Sequence, residues 1–363
     1  MTAVFNTIED RIKTRDNNFS LLRLIAASLV IFSHCYPLAG SVSAEPLARL
    51  TGILDLSTAA VICFFVISGF LVTQSAVNSR SMLAFAIARF LRIAPGLAFV
   101  AMVTTLIIGP LASSYGAKEY FSASNTWRYL IKTPLLDVGR YLPGVFEKNP
   151  LPFGVNGSLW TIQIEVWLYA VVAILALLQA FRYRLIFLCI TGTAFLLFSI
   201  SVESVMPFYP RSDVYMTTRL IACFLIGATF YVFRSWLYLS PVIGMALIVL
   251  SWFSWNTAYF GYSFYLTFAY WTILIAFSPS NYLSRFFDRL DLSYGLYIFG
   301  FPVQQLIVSF CAPVSPTELF FASYPIVIGL SLFSWYFVES KALRLKGTLN
   351  LPISRTHFSK GLS

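Results

Sequence analysis

Apolar stretches of about the 20 residues that a helix needs to cross hydrocarbon recur along this 363-residue chain, separated by short segments rich in charge, Pro or Gly. They fall at 19–38, 56–75, 93–112, 157–179, 185–202, 217–233, 239–255, 263–279, 293–312 and 320–338. The pattern predicts an all-α polytopic membrane protein with about ten transmembrane helices. A single membrane domain, 19–340, lies between an N-terminal segment, 1–18, and a basic tail, 341–363.

Composition agrees with the pattern: 58% of residues are hydrophobic and 11% charged, against roughly 45–50% and about 25% in soluble domains. Charge then sets the orientation. With the N-terminus inside, sixteen Lys/Arg fall in cytoplasmic segments and eight, Arg219 among them, in outer ones. Many of the outer ones sit in the long loop 113–156, where charge counts for less. Both termini are therefore expected in the cytoplasm. The net charge of +10 reads as topological, and no motif supports nucleic-acid binding. Cys35, Cys63, Cys189, Cys223 and Cys311 lie in apolar runs without CxxC spacing, which predicts neither disulfides nor a metal site. The polar start is too long for a signal peptide, so the first span is expected to be retained.

Ionisable residues inside spans are costly and mark candidate sites. In "LLRLIAASLVIFSHCYPL" (21–38), Arg23 and His34 are eleven residues apart, which places them within roughly 20° on one helix face and about 16 Å apart along it. In "AIARFLRIAPGL", Arg89 and Arg92 share a face at i,i+3, the arrangement of a phosphate clamp at the start of the third span. Glu165 enters the fourth span in "NGSLWTIQIEVWLY" (156–169). A buried carboxylate needs a partner, and His34, at similar depth, is the one expected; such a pair would orient an imidazole general base. The plainer alternatives are snorkelling for Arg23, topology charge for Arg89 and Arg92, and a structural Glu–Arg or Glu–Tyr contact for Glu165. Trp160, Gln163, Tyr169, Ser68, Tyr294 and Gln304, with Tyr297 and Gln305 nearby, are candidates for substrate contact or for helix–helix hydrogen bonds.

Together these residues resemble the acyltransferase-3 family of integral membrane O-acyltransferases, over roughly residues 16–340. The resemblance is carried by Arg23 with ten residues before His34, "FFVISGFL" in the second span, Arg89-x-x-Arg92 with Pro95, and "GSLWTIQIE" ending at Glu165. It implies a bacterial inner-membrane enzyme, surrounded by membrane lipids, that takes an acyl group, usually acetyl, from acyl-CoA. The acceptor it implies is a hydroxyl of a surface polysaccharide or its lipid-linked precursor. Under it His34 is catalytic with Arg23 as companion, and Arg89 and Arg92 bind the donor. No metal is implied. One departure is visible: many members carry a histidine in the ninth span where this chain has Gly300. A general-base route and an acyl-imidazole route both fit these residues.

The competing class is a transporter or flippase of glycans or lipid-linked sugars, in which intramembrane charges line a pathway. The chain shows no inverted repeat, and its polar residues are placed asymmetrically. Both observations favour the enzyme.

Overall fold

The computed structural model describes residues 6–348 except 15, 53, 138–140, 206–212, 256, 258 and 280–281. Among the described residues it is all-helical. Ten long helices follow one another: α1 (Phe19–Leu38), α2 (Leu56–Val77), α3 (Met82–Val103), α4 (Trp160–Leu177), α5 (Arg184–Val205), α6 (Asp213–Val232), α7 (Pro241–Phe253), α8 (Phe260–Ala276), α9 (Ser293–Cys311) and α10 (Pro316–Ser334). α3 continues through a π turn to Ala112, and α10 through a second π turn to Thr348. Each matches one expected span. Among the described residues, seven segments are long and apolar enough to cross a membrane, and Arg184–Leu196, Pro241–Phe253 and Phe260–Ala276 are shorter apolar helices. Their outer faces suit lipid: Leu185, Trp167, Val242, Trp252 and Phe253 are 74–80% exposed.

Two starts differ from the hydropathy pattern, and capping explains both. The Ser81 side chain accepts from the Ala84 amide and begins α3 eleven residues before the expected 93, so Arg89 and Arg92 lie inside the helix. Ser315 and Glu318 form a reciprocal capping box that starts α10 at Pro316 rather than 320. Arg219, counted with the outer loops, is instead 9% exposed within α6. The tail beyond 348, together with Arg15, Arg140 and Arg211, lies outside the described residues.

α2 is the central helix. It packs against α1, α4, α6 and α8, while α1 packs against α2, α9 and α10. Contact between α2 and α6 is backbone to backbone: a Cβ on Gly69 would lie 1.9 Å from the Phe224 carbonyl oxygen, and one on Gly227 would lie 2.1 Å from that of Val66. Small residues allow such approach, which in lipid supplies much of the helix association. At the far ends of α1 and α9, part of the loop after α3 is fastened to α9. Gln305 donates to the Leu151 and Gly154 carbonyls at 2.8 Å, and Asn149 donates to the Gln305 side chain at 2.7 Å.

Gly69→Ala and Gly227→Ala should each force α2 and α6 apart and cost at least the roughly 1–3 kcal/mol typical of overpacking. Gly329, with nothing within 4 Å of a built Cβ, is the control. Thermal unfolding of the detergent-solubilised protein should drop for the first two and hold for Gly329→Ala.

Candidate active site

Five helices wall a cavity of about 120 Å³. Arg23 enters from α1, Ser68 from α2, Arg89 and Arg92 from α3, Glu165 and Tyr169 from α4, and Tyr294 and Tyr297 from α9. Three guanidinia and one carboxylate thus face one small space inside an apolar bundle. Each needs compensation there.

The compensation comes mostly from residues that the sequence pattern did not single out. Asp291, just ahead of α9, accepts from Arg92 at 2.8 Å and Arg23 at 3.1 Å through the same oxygen, Oδ2. Its other oxygen accepts from Ser293 at 2.7 Å. Glu339, in the π turn after α10, lies 3.6 Å from Arg92 and is itself held by Ser334 at 2.7 Å. Burial works to raise the Asp291 carboxyl pKa, but the Arg92 and Arg23 guanidinia and the Ser293 hydrogen bonds outweigh it and hold it well below the ordinary carboxylate range. Because the shift is downward, the stabilisation is present above the unfolded carboxylate pKa and fades only as pH falls through the lower folded value.

Arg89 is different. Its guanidinium lies over the Tyr169 ring, 5.8 Å from the centroid, a cation–π arrangement. Among the described residues it has neither an ion-pair nor a hydrogen-bond partner, and its buried Nε, like that of Arg23, is unsatisfied.

Glu165 does not meet His34. Its Oε1 accepts from Ser68 at 2.7 Å and from Tyr169 at 2.6 Å, so the Glu–Tyr contact is the one formed. The reason is depth: Glu165 lies beside Ser68 in the arginine cavity, thirteen residues, or about 20 Å, along α2 from its Asp55 cap near His34. Helical arithmetic on one span finds a face but not its neighbour.

Arg23 and His34 share the face of α1 that meets α9. Arg23 reaches Asp291, and the half-buried His34 ring packs edge-on against Phe301, centroids 5.5 Å apart. The carboxylate that acts on His34 electrostatically is Asp55, the N-cap of α2. Burial works to raise the Asp55 pKa, while hydrogen bonds from Ser57 and Thr58, and His34 to a lesser degree, lower it below the usual value. Beside it, the buried Glu45 accepts from Ser33 at 3.4 Å and from the Leu56 amide at 3.0 Å, tying α1 next to His34 to the start of α2. Asp55, Glu45, Asp291 and Glu339 were overlooked because each lies at or beyond a span end. The available signal was the number of intramembrane arginines that needed counter-charges.

His34 does not line the arginine cavity. On α9 the side chains run Tyr294, Tyr297, Phe301; the first two line the cavity and the third touches His34. Tyr297 is held by Thr161 at 2.6 Å and by the Phe64 ring at 5.6 Å. Three substrate candidates face elsewhere. Gln304 is wholly buried and donates to the Ile31 carbonyl at 2.7 Å and to the Cys35 sulfur at 2.9 Å. Gln163 donates to the Leu136 carbonyl, and Trp160 packs against the core. At Gly300 a Cβ would lie 2.8 Å from Ile31 Cγ1, so a histidine there would push α1 and α9 apart.

The fold and site define an integral membrane protein with a charged chamber and a separate imidazole on one helix. The chain belongs to the acyltransferase-3 family: the family's acyltransferase-domain model matches residues 16–339. It is an acyltransferase. It is 29% identical over 346 residues to an O-acetyl transferase of Shigella phage Sf6, covering 91% of this chain and 96% of the relative. It is also 27% identical over 388 aligned positions to Nodulation protein 10 of Rhizobium leguminosarum bv. viciae, covering 92% and 95%. No solved structure matches the chain.

Tyr169→Phe keeps the ring under Arg89 but removes one hydrogen bond to Glu165. Ser68→Ala removes the other. Each should cost about 1–3 kcal/mol, and the double variant should lose more than either alone, read as thermal unfolding in detergent.

Proposed function

We propose that the protein is a membrane O-acyltransferase that moves an acyl group, acetyl in the simplest case, from acyl-CoA to a hydroxyl of a surface polysaccharide sugar or its lipid-linked precursor. The observation that carries this reading is the pairing, along one face of α1, of Arg23 in a three-arginine cavity with His34 about eleven helical rises, or 16 Å, further on. An anionic thioester donor and a hydroxyl acceptor need such a division: fixed cations for the donor, a base for the acceptor. The Shigella phage Sf6 relative, an O-acetyl transferase, is in keeping with it.

On this reading the arginine end of the bundle faces the cytoplasm, where acyl-CoA is made, with both chain termini on that side and the enzyme in a bacterial inner membrane. The cavity is too small for the whole of CoA, so it receives only part of the donor. The thioester passes Tyr297 to reach His34. His34 removes the proton from the acceptor hydroxyl as its oxygen attacks the thioester carbonyl, and the proton then goes to the departing thiolate. Nothing in this sequence of steps requires an acyl-imidazole. Glu165, held by Ser68 and Tyr169, belongs to the donor cavity. Asp55 and Phe301 surround the base.

Membranes holding the wild-type chain and incubated with labelled acetyl-CoA and the host glycan should place label in the glycan as an alkali-labile ester. His34→Ala and His34→Gln should lower that rate by about 10²–10⁴-fold at unchanged protein level, the range of a lost general base. Movement of glycan without incorporation of label would instead identify a transporter.

A further inference from the structure

The three cavity arginines are not equivalent. Arg92 is matched by two carboxylates, Asp291 at 2.8 Å and Glu339 at 3.6 Å, and Arg23 shares Asp291 at 3.1 Å. These four residues cancel in charge. They come from α1, α3, the segment ahead of α9, and the continuation of α10. Arg89 and Glu165 remain, and they make no ion pair with each other. Glu165 is occupied by two hydroxyls, whereas Arg89 only overlies Tyr169 and leaves its donors unused among the described residues. A guanidinium with five donors and no acceptor, facing a cavity, is the group there with most to gain from an anion.

We propose that Asp291 is a positioning residue for acyl transfer: by clamping Arg23 and Arg92 to the start of α9, it fixes the chamber and leaves Arg89 as the arginine that contacts the anionic part of the acyl donor. This rests on the acyltransferase reading above. It divides the Arg89-x-x-Arg92 pair, which sequence spacing presents as one clamp, into a ligand-facing member and a framework member. Asp291 keeps its charge at neutral pH for the reason already given, so the clamp is standing rather than switchable in that range.

The test uses the full chain in membranes, with labelled acetyl-CoA as donor and free CoA as a competitive probe. Arg89→Ala should raise the KM for acetyl-CoA and the inhibition constant of CoA by about tenfold or more, as loss of a charge-assisted contact does, with a smaller change in kcat. Asp291→Asn should do the reverse: kcat falls by about tenfold or more while KM holds or drops, because Arg23 and Arg92 are freed to attract the anion but no longer held in place. A merely structural aspartate would lower the amount of active enzyme without that opposite movement of KM. If Asp291→Asn proves too unstable to assay, Arg92→Gln/Asp291→Asn removes one charge of each sign and keeps the comparison available. The double variant should retain a wild-type KM, and Asp291→Glu should recover part of kcat. Equal rises in KM for Arg89→Ala and Arg92→Ala, or a wild-type kcat in Asp291→Asn, would overturn the assignment while leaving wild-type transfer and its dependence on His34 intact. Absence of any transfer from acetyl-CoA by the wild type would overturn the acyltransferase donor reading, and this assignment with it.

Discussion

A guanidinium placed among apolar helices has to be matched locally, and here one carboxylate oxygen of Asp291 serves two of them. The geometry has structural reach because the three residues belong to three different parts of the bundle. Arg23 brings α1, Arg92 brings α3, and Asp291 sits at the mouth of α9; Glu339 adds the π turn that follows α10. Removing one member would leave its partner buried and uncompensated, which costs more than the intact pair contributes. The contacts therefore set which helix ends meet, whatever their net contribution to stability.

The opposite wall follows from α2 and its two faces. Gly69 lets α2 touch the backbone of α6, and its neighbour Ser68 turns about 100° away to donate to Glu165. The two small residues in "FFVISGFL" thus do different things. One closes the core behind the cavity, and the other furnishes its lining. A bulky side chain at 69 would move Ser68 with its helix, so packing on the α6 side and hydrogen bonding on the α4 side are mechanically linked. The same logic holds at Gly300, where close contact between α9 and Ile31 of α1 brings Phe301 onto His34.

What could be read from the sequence divides along physical lines. Helix number and placement were legible because a span is set by local hydropathy and length, and all ten expected positions hold a helix. The common face of Arg23 and His34 was legible because it needs only the helical repeat. Helix starts at Met82 and Pro316 were missed where side-chain caps at Ser81 and Ser315 extended helices past the apolar run. The partner of Glu165 was missed because its depth was misjudged: it lies beside Ser68 in the arginine cavity, thirteen residues along α2 from the Asp55 cap near His34, or about 20 Å at 1.5 Å per residue. Asp291 and Asp55 escaped attention because they flank spans and look like ordinary loop charges until the fold brings an arginine or an imidazole to them.

The separation of the arginine cavity from His34 gives the remaining polar contacts a common purpose on the proposed reading. A thioester and a general base exposed together to water would favour hydrolysis over transfer. Tyr297 stands between the two centres, fixed by Thr161 of α4 and Phe64 of α2, and its helix also carries Phe301 against His34. The same helix begins at Asp291. The Arg92–Asp291–Arg23 bridge joins α3 to the base of α9 and of α1, the two helices that carry Tyr297 and the imidazole. The arginine end and the imidazole end thus share a short chain of charge contacts and two helices, with Tyr297 one turn above the anchored end.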